Sequence, residues 1–352
     1  MLLNEAEQKR KQSIRIMAFL FVFMAITAML VLSTSVSAAE LSDPIDGEKP
    51  WGWPLEGLYN SMRNMFYKLI CSILDGAFGL IDGVVATANT ELSKTPSSYN
   101  STVFNLMTTV SHNVIIPIAT VILSYVVIYD LITMLMEKNN FHDFDTSLFF
   151  RWLLKTGVAL LFLSNADTIV NAFFDLGSVI VSNLNSTSSA VTGTMSDASA
   201  ELGEQLTMFG IGTYISMLIP ALLLDLVSII IYVCVYVILI GRMIEIYIHL
   251  SIAPIPLATI TSHEIGDMGK NYLKTIFAFI LQAFFIFLCI VIYKSLIFSL
   301  VDKIGSITLS DNPDGAAWNI SGYMFQIVAY GVVLVLTMFK TNSIAKSVVG
   351  AH

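Results

Sequence analysis

Residues 241–282 read GRMIEIYIHLSIAPIPLATITSHEIGDMGKNYLKTIFAFILQ, and this stretch decides how the rest of the chain is read. A long apolar run lies on either side of it. Inside it the hydrophobicity is broken by Arg242, Glu245, His249, Pro254 and Pro256, and then by a polar turn from Thr261 to Lys274. Two prolines within three residues remove two backbone donors and disfavour helical geometry at Ala253 and Ile255. Non-helical backbone at membrane depth is tolerated only where protein or a water-filled cavity covers it. The stretch therefore reads as a broken helix, re-entrant or interfacial, over 242–262.

Composition places this break in a membrane protein. Of the 352 residues, 55% are hydrophobic and 12% charged, about half the ~25% charge of a soluble domain. Several apolar runs are long enough for a hydrocarbon core of about 30 Å. The expected fold class is all-α: a polytopic membrane helical bundle in the lipid bilayer, with about five spans after an N-terminal signal segment and one broken or re-entrant helix. The formal net charge of −8 and the lack of a basic patch with interleaved aromatics argue against capture of DNA by exposed loops. Cys71, Cys234 and Cys289 form no CxxC pair, so neither a disulfide framework nor a thiolate metal site is expected. No nucleophile elbow and no phosphate-loop lysine motif is present, and no cofactor is implied.

Lys9, Arg10, Lys11 and Arg15 precede the apolar run 16–32, and STSVSAAE follows it. Residues 1–39 thus read as a signal peptide or an uncleaved signal anchor. Residues 40–113 read as an extracytoplasmic loop, with Trp51 and Trp53 suited to the headgroup level, followed by amphipathic helices. Within these, LDG at 74–76 recurs as IDG at 81–83, and Arg63, Lys68, Asp75 and Asp82 interrupt the apolar face. Residues 114–340 form the transmembrane domain, with spans over about 114–136, 147–181, 211–240, 275–300 and 320–339, and 341–352 form a tail. Asn165 and Asp167 interrupt the second span and suggest a kink there. Residues 182–209 are polar, with acidic residues and no Lys or Arg, the composition of a flexible outer loop.

The positive-inside rule tests whether 243–260 crosses the membrane. If it dips in and returns, Lys138, Arg151, Lys155, Arg242, Lys270, Lys274, Lys340 and Lys346 all share one side. If it crosses fully, the last four change sides. The first arrangement fits better, and it puts the mature N-terminus outside and the C-terminus in the cytoplasm.

The most chemical-looking pair is Glu245 and His249, one helical turn apart. A metalloprotease needs HExxH, and this is ExxxH with one His, so a structural role fits better: Glu245 paired with Arg242 at the membrane boundary. Asp225 lies inside an apolar span, where a charge is costly and marks a functional candidate.

The segment from APIPLATI through GKNYLKTIFAFILQAFFIFLCIVIYKSL resembles TrbL-like polytopic inner-membrane subunits of conjugative type IV secretion systems, of the kind carried by Gram-positive integrative elements. Ala253, Pro254, Gly266, Gly269, Phe277, Ala278, Leu281 and Gln282 carry the resemblance, with Lys270 and Lys274 in the turn between. It implies a non-enzymatic subunit, present in several copies, that scaffolds or lines the path for DNA–protein transfer. Its partners would be transport ATPases and bitopic assembly proteins, docking on Arg242, Glu245, His249, Pro254, Pro256, Lys270 and Lys274. Whether nucleic acid touches the chain directly is open. The competing class is a secondary transporter or ion-conducting protein with its site at Asp225 and the broken helix.

Overall fold

A computed structural model describes residues 56–137, 146–189, 194–207, 209–262, 264–306 and 313–351. The expected signal segment, 1–39, and the loop to residue 55 lie outside the described residues. The elements are all helical: α1 (Glu56–Leu92), α2 (Pro96–Tyr99), α3 (Ser101–Val110), a π-turn (Ser111–Ile115), α4 (Ile116–Glu137), α5 (Thr146–Ser164), α6 (Ala166–Ser189), α7 (Met195–Leu206), α8 (Ile211–Ile252), α9 (Pro254–Thr259), α10 (Asp267–Gly305) and α11 (Pro313–Val349). Among the described residues, five stretches are long and apolar enough to cross a membrane: Gly57–Leu92, Ser101–Met136, Ile211–Ile252, Asp267–Ile304 and Trp318–Val349. A sixth is the pair Phe149–Ser164 and Ala166–Leu184, which meets the same standard together but is bent by 70° at Asn165. The chain is an all-α, multi-pass membrane protein. Its exposed apolar rows, such as Val121, Tyr125, Ile128 and Ile132 on α4, are surfaces that a bilayer solvates.

The chain divides into two compact units. One gathers the described parts of 1–85, 191–234 and 292–335. Its distinctive feature is α7, which lies antiparallel along α1 and is held by α1's polar side chains. The Arg63 guanidinium donates to the carbonyls of Thr207 at 2.8 Å and Phe209 at 2.9 Å. Farther along α1, the Tyr67 hydroxyl donates to the Gly203 carbonyl at 3.2 Å. Asp75 accepts from the Ser199 hydroxyl, and Asp82 accepts from the Met195 amide at 2.9 Å. The seven-residue repeat of LDG and IDG thus places two carboxylates on the face that meets α7. Lys294 of α10 adds an ion pair with Asp82 at 3.5 Å.

One expectation changes here. Residues 56–92 form one 37-residue helix, and α7 meets its Arg63, Asp75 and Asp82 side chains. Within the stretch expected to be a flexible loop, 182–189 belong to the end of α6 and 195–206 form α7. Composition hid α7, whereas its local signals favour it. Thr194 and Asp197 form a reciprocal capping box, and Ala198, Ser199, Leu202, Gly203 and Leu206 recur at helical spacing and are buried. Removing the cap by Thr194→Ala will cost about 1 kcal/mol of local stability, read as faster amide exchange across 195–206 with α1 unchanged. The Thr194 hydroxyl and amide hold the Asp197 carboxyl below its ordinary pKa. Asp197 lies outside the candidate spans. A depressed carboxyl stabilises above its unfolded value, about pH 4, and that contribution is lost as pH falls through the folded value. Protection factors in α7, corrected for the intrinsic exchange rate, will therefore fall only under acid conditions.

The other unit gathers the described parts of 86–190, 235–291 and 336–352. Its main core joins Val170 and Phe174 of α6 to Met243, Ile246 and Leu250 of α8, Leu257 of α9, and Ile276 and Phe279 of α10. A smaller core, Ala119, Leu123, Ala159, Leu163 and Ala258, seats α9 against α4 and α5.

Candidate functional site: the helix break and the polar elbow

The break lies in this second unit. The span expected over 211–240 continues as α8 to Ile252, so Arg242, Glu245 and His249 all belong to it. Helicity is interrupted at one residue, Ala253, and resumes in the six residues of α9. Ala253 itself keeps helical angles, φ −48° and ψ −39°, against the expected displacement from helical geometry. Pro254 occupies the first position of α9, where an amide hydrogen has no intrahelical partner to lose. The prolines thus restart a helix instead of unwinding one.

After α9 the chain turns through residues 260–266 into α10. The turn is pinned to the end of α4: the Ser262 hydroxyl donates to Asp130 at 2.8 Å, and the Tyr129 hydroxyl donates to Glu264. Two glycines permit it. A Cβ on Gly266 would stand 2.3 Å from the Ser262 carbonyl oxygen, and one on Gly269 would stand 2.6 Å from the Pro256 carbonyl oxygen. These positions demand glycine because backbone passes close by.

The other candidate residues separate. Arg242 is 6% exposed, and its Nε donates to the Phe279 carbonyl at 3.3 Å. The expected Arg242–Glu245 pair does not form: Glu245 instead accepts from Asn342 at 3.3 Å. Pairing fails because Arg242 turns inward while Glu245 stays at the surface. His249 Nδ1–H donates to the Glu245 backbone carbonyl at 2.9 Å, and its ring meets Tyr272 and Phe279. That places the imidazole in packing, away from any ligand shared with the Glu245 carboxylate. Pro254, Pro256, Ala253 and Ala278 are buried, as is Gln282, whose Oε1 has no hydrogen-bond partner. Phe277 is exposed and Leu281 half-buried. Lys270 pairs with Asp267 at 3.0 Å, and Lys274 donates to the Gly350 carbonyl at 3.4 Å. Asp225, in the other unit, is 2% exposed, and one of its carboxylate oxygens has no partner. Among the described residues, no three His, Cys, Asp or Glu side chains gather to hold a metal ion.

A second polar constellation was not singled out in the sequence. Between α3 and α4 the backbone widens into the π-turn, closed by the Ile116 amide on the Ser111 carbonyl. Pro117 follows, and its missing amide hydrogen leaves the Asn113 carbonyl without its ordinary α-helical donor. Such π-turns are frequent at functional sites. The His112 imidazole reaches Asp167 at 2.9 Å, and the Ser111 hydroxyl donates to the same carboxylate at 3.2 Å. Asp167 opens α6, just past the 70° elbow. These groups clamp the bend. Asn165 and Asp167 signalled the kink, but nothing local signalled His112, 55 residues earlier.

No curated protein and no solved structure matches the chain. The family model of the TrbL/VirB6 plasmid conjugal transfer like protein matches residues 81–254. That range holds the elbow, most of α8, the interruption at Ala253 and the first proline after it. Residues 81–254 thus carry a TrbL/VirB6-like conjugal transfer domain on an all-helical membrane scaffold.

Proposed function

We propose that the chain is a non-enzymatic integral membrane subunit of a conjugative type IV secretion channel, scaffolding or lining the path for DNA–protein transfer between cells. The family match over 81–254 carries this reading. It is supported by a fold made of apolar helices and by the His249 imidazole being used in packing. The partners are transport ATPases and bitopic assembly proteins, and several copies of the chain surround one channel. The turn from Thr261 to Lys274 is the docking surface, with Asp267 and Lys270 well exposed on it. The buried candidates Arg242, Pro254 and Pro256 shape that surface from beneath.

Orientation follows from the lysine and arginine bias: mature N-terminus outside, C-terminus and the 261–274 turn in the cytoplasm. Donor cells lacking the chain will transfer no DNA, and re-expression will restore transfer. Normal transfer without it would sink the proposal. In a cysteine-free background, Asp267→Cys will react with a membrane-impermeant maleimide only after the cells are opened. Labelling of intact cells would reverse the orientation.

One observation favours a second reading, a secondary transporter. Asp225 is buried in an apolar helix with an unpartnered carboxylate oxygen, and intramembrane carboxylates mark ion pathways. Proteoliposome uptake abolished by Asp225→Asn would establish it in place of the channel subunit.

A further inference from the structure

The clamp at the elbow forms one wall of a cavity of about 440 Å³ in the second unit, whose walls include Thr108, His112, Asp167, Asn171 and Asp175. This volume is within the usual range for ligand sites, about 300–1,000 Å³. Its walls hold two carboxylates and no Lys or Arg. They also offer acceptors that lack donors. Asn171 Oδ1 and Thr108 Oγ1 are both buried and have no hydrogen-bond partner. An orphaned buried acceptor costs about 1–3 kcal/mol, so such atoms in a cavity wall point to a ligand that brings hydrogens. Asp167 is fixed by Ser111 and His112 and retains further lone pairs, whereas the Asp175 carboxylate has no partner among the described residues.

We propose that this cavity receives the guanidinium group of an arginine side chain presented by a partner subunit. A guanidinium carries five N–H donors in a planar fork that suits several spaced oxygens. An ammonium offers three donors from one compact point. A metal ion would need the acidic groups to converge, and no such convergence occurs among the described residues. The elbow also places the cavity beside a 70° bend, with Ser164 at the end of α5 and Asp167 and Asp175 of α6 all in its wall. Only the source of the arginine rests on the channel-subunit reading, because binding of a free guanidinium does not depend on it.

Calorimetric titration of the full chain in detergent tests this, using ethylguanidinium chloride and an acetylated, amidated Gly-Arg-Gly peptide. Tetramethylammonium chloride at the same ionic strength serves as control. Both guanidinium probes will bind saturably, the peptide at least as tightly, and tetramethylammonium will not bind. Asp175→Asn will weaken both at least tenfold, and Asn171→Leu several-fold. Asp302→Asn, exposed and not in the cavity wall, will leave binding unchanged, and circular dichroism will confirm that every variant is folded. No saturable binding, or affinities unchanged in Asp175→Asn, overturns the site. Binding of ethylguanidinium without the peptide overturns the partner's side chain as its occupant.

Discussion

Alanine at Gly266 will leave little folded protein, and alanine at Gly269 will be nearly as damaging. The added methyl at position 266 meets the Ser262 carbonyl oxygen at 2.3 Å and the Ile260 carbonyl oxygen at 3.1 Å. At position 269 it meets the Pro256 oxygen at 2.6 Å and Ile260 Cβ at 2.8 Å. These obstacles are mostly backbone, so no rotamer change relieves them. The turn must move, and it is fastened to α4 through Tyr129 and Asp130. Overpacking alone costs about 1–3 kcal/mol, against a total stability of roughly 5–15 kcal/mol. Loss of the turn's hydrogen bonds adds to this. The expected result is a fall in melting temperature in detergent of many degrees, with most Gly266→Ala protein eluting as aggregate. Gly241→Ala and Gly157→Ala are the controls, since a Cβ there has nothing within 4 Å. Melting of Gly266→Ala within two or three degrees of the parent would show that the turn does not pack in this way.

The same two glycines show what the sequence made legible. Hydropathy and the double proline located the break to within a few residues, because both act through the backbone and need no partner. The resemblance singled out Gly266 and Gly269, and their physical reason emerged only with the carbonyls beside them. Helix α7 escaped because polar composition is a weak guide when a partner helix satisfies the polar groups. Asp75 and Asp82 looked too costly for a span until Ser199 and the Met195 amide, over a hundred residues away, were seen to meet them. His112 was invisible for the same reason, since its partner lies 55 residues on. Charge order along one helix suggested an Arg242–Glu245 pair, whereas the tertiary fold turned the arginine inward. Local rules capture backbone breaks and burial periodicity, but pairings between distant polar groups follow from packing.

Arg242→Met will raise stability and lower conjugal transfer. The guanidinium is 6% exposed, makes one side-chain hydrogen bond, at 3.3 Å to a backbone carbonyl, and no carboxylate joins it among the described residues. A buried charge without a countercharge is a net cost even when its stem packs well. Replacement of buried ionic groups by apolar side chains of similar volume is often neutral or stabilising, by about 1–4 kcal/mol. Methionine retains much of the stem's volume and flexibility, so a gain of about 1–2 kcal/mol is expected. It will be read as a rise of a few degrees in melting temperature. Arg242→Ala removes the stem as well, opens a cavity and will destabilise. If Arg242 were kept only for packing, the methionine variant would transfer DNA at the parental frequency. A stabilised variant whose transfer falls at least tenfold assigns the charge a role in the assembled channel beneath the 261–274 turn. A methionine variant that melts below the parent would show instead that the guanidinium is already satisfied within the fold.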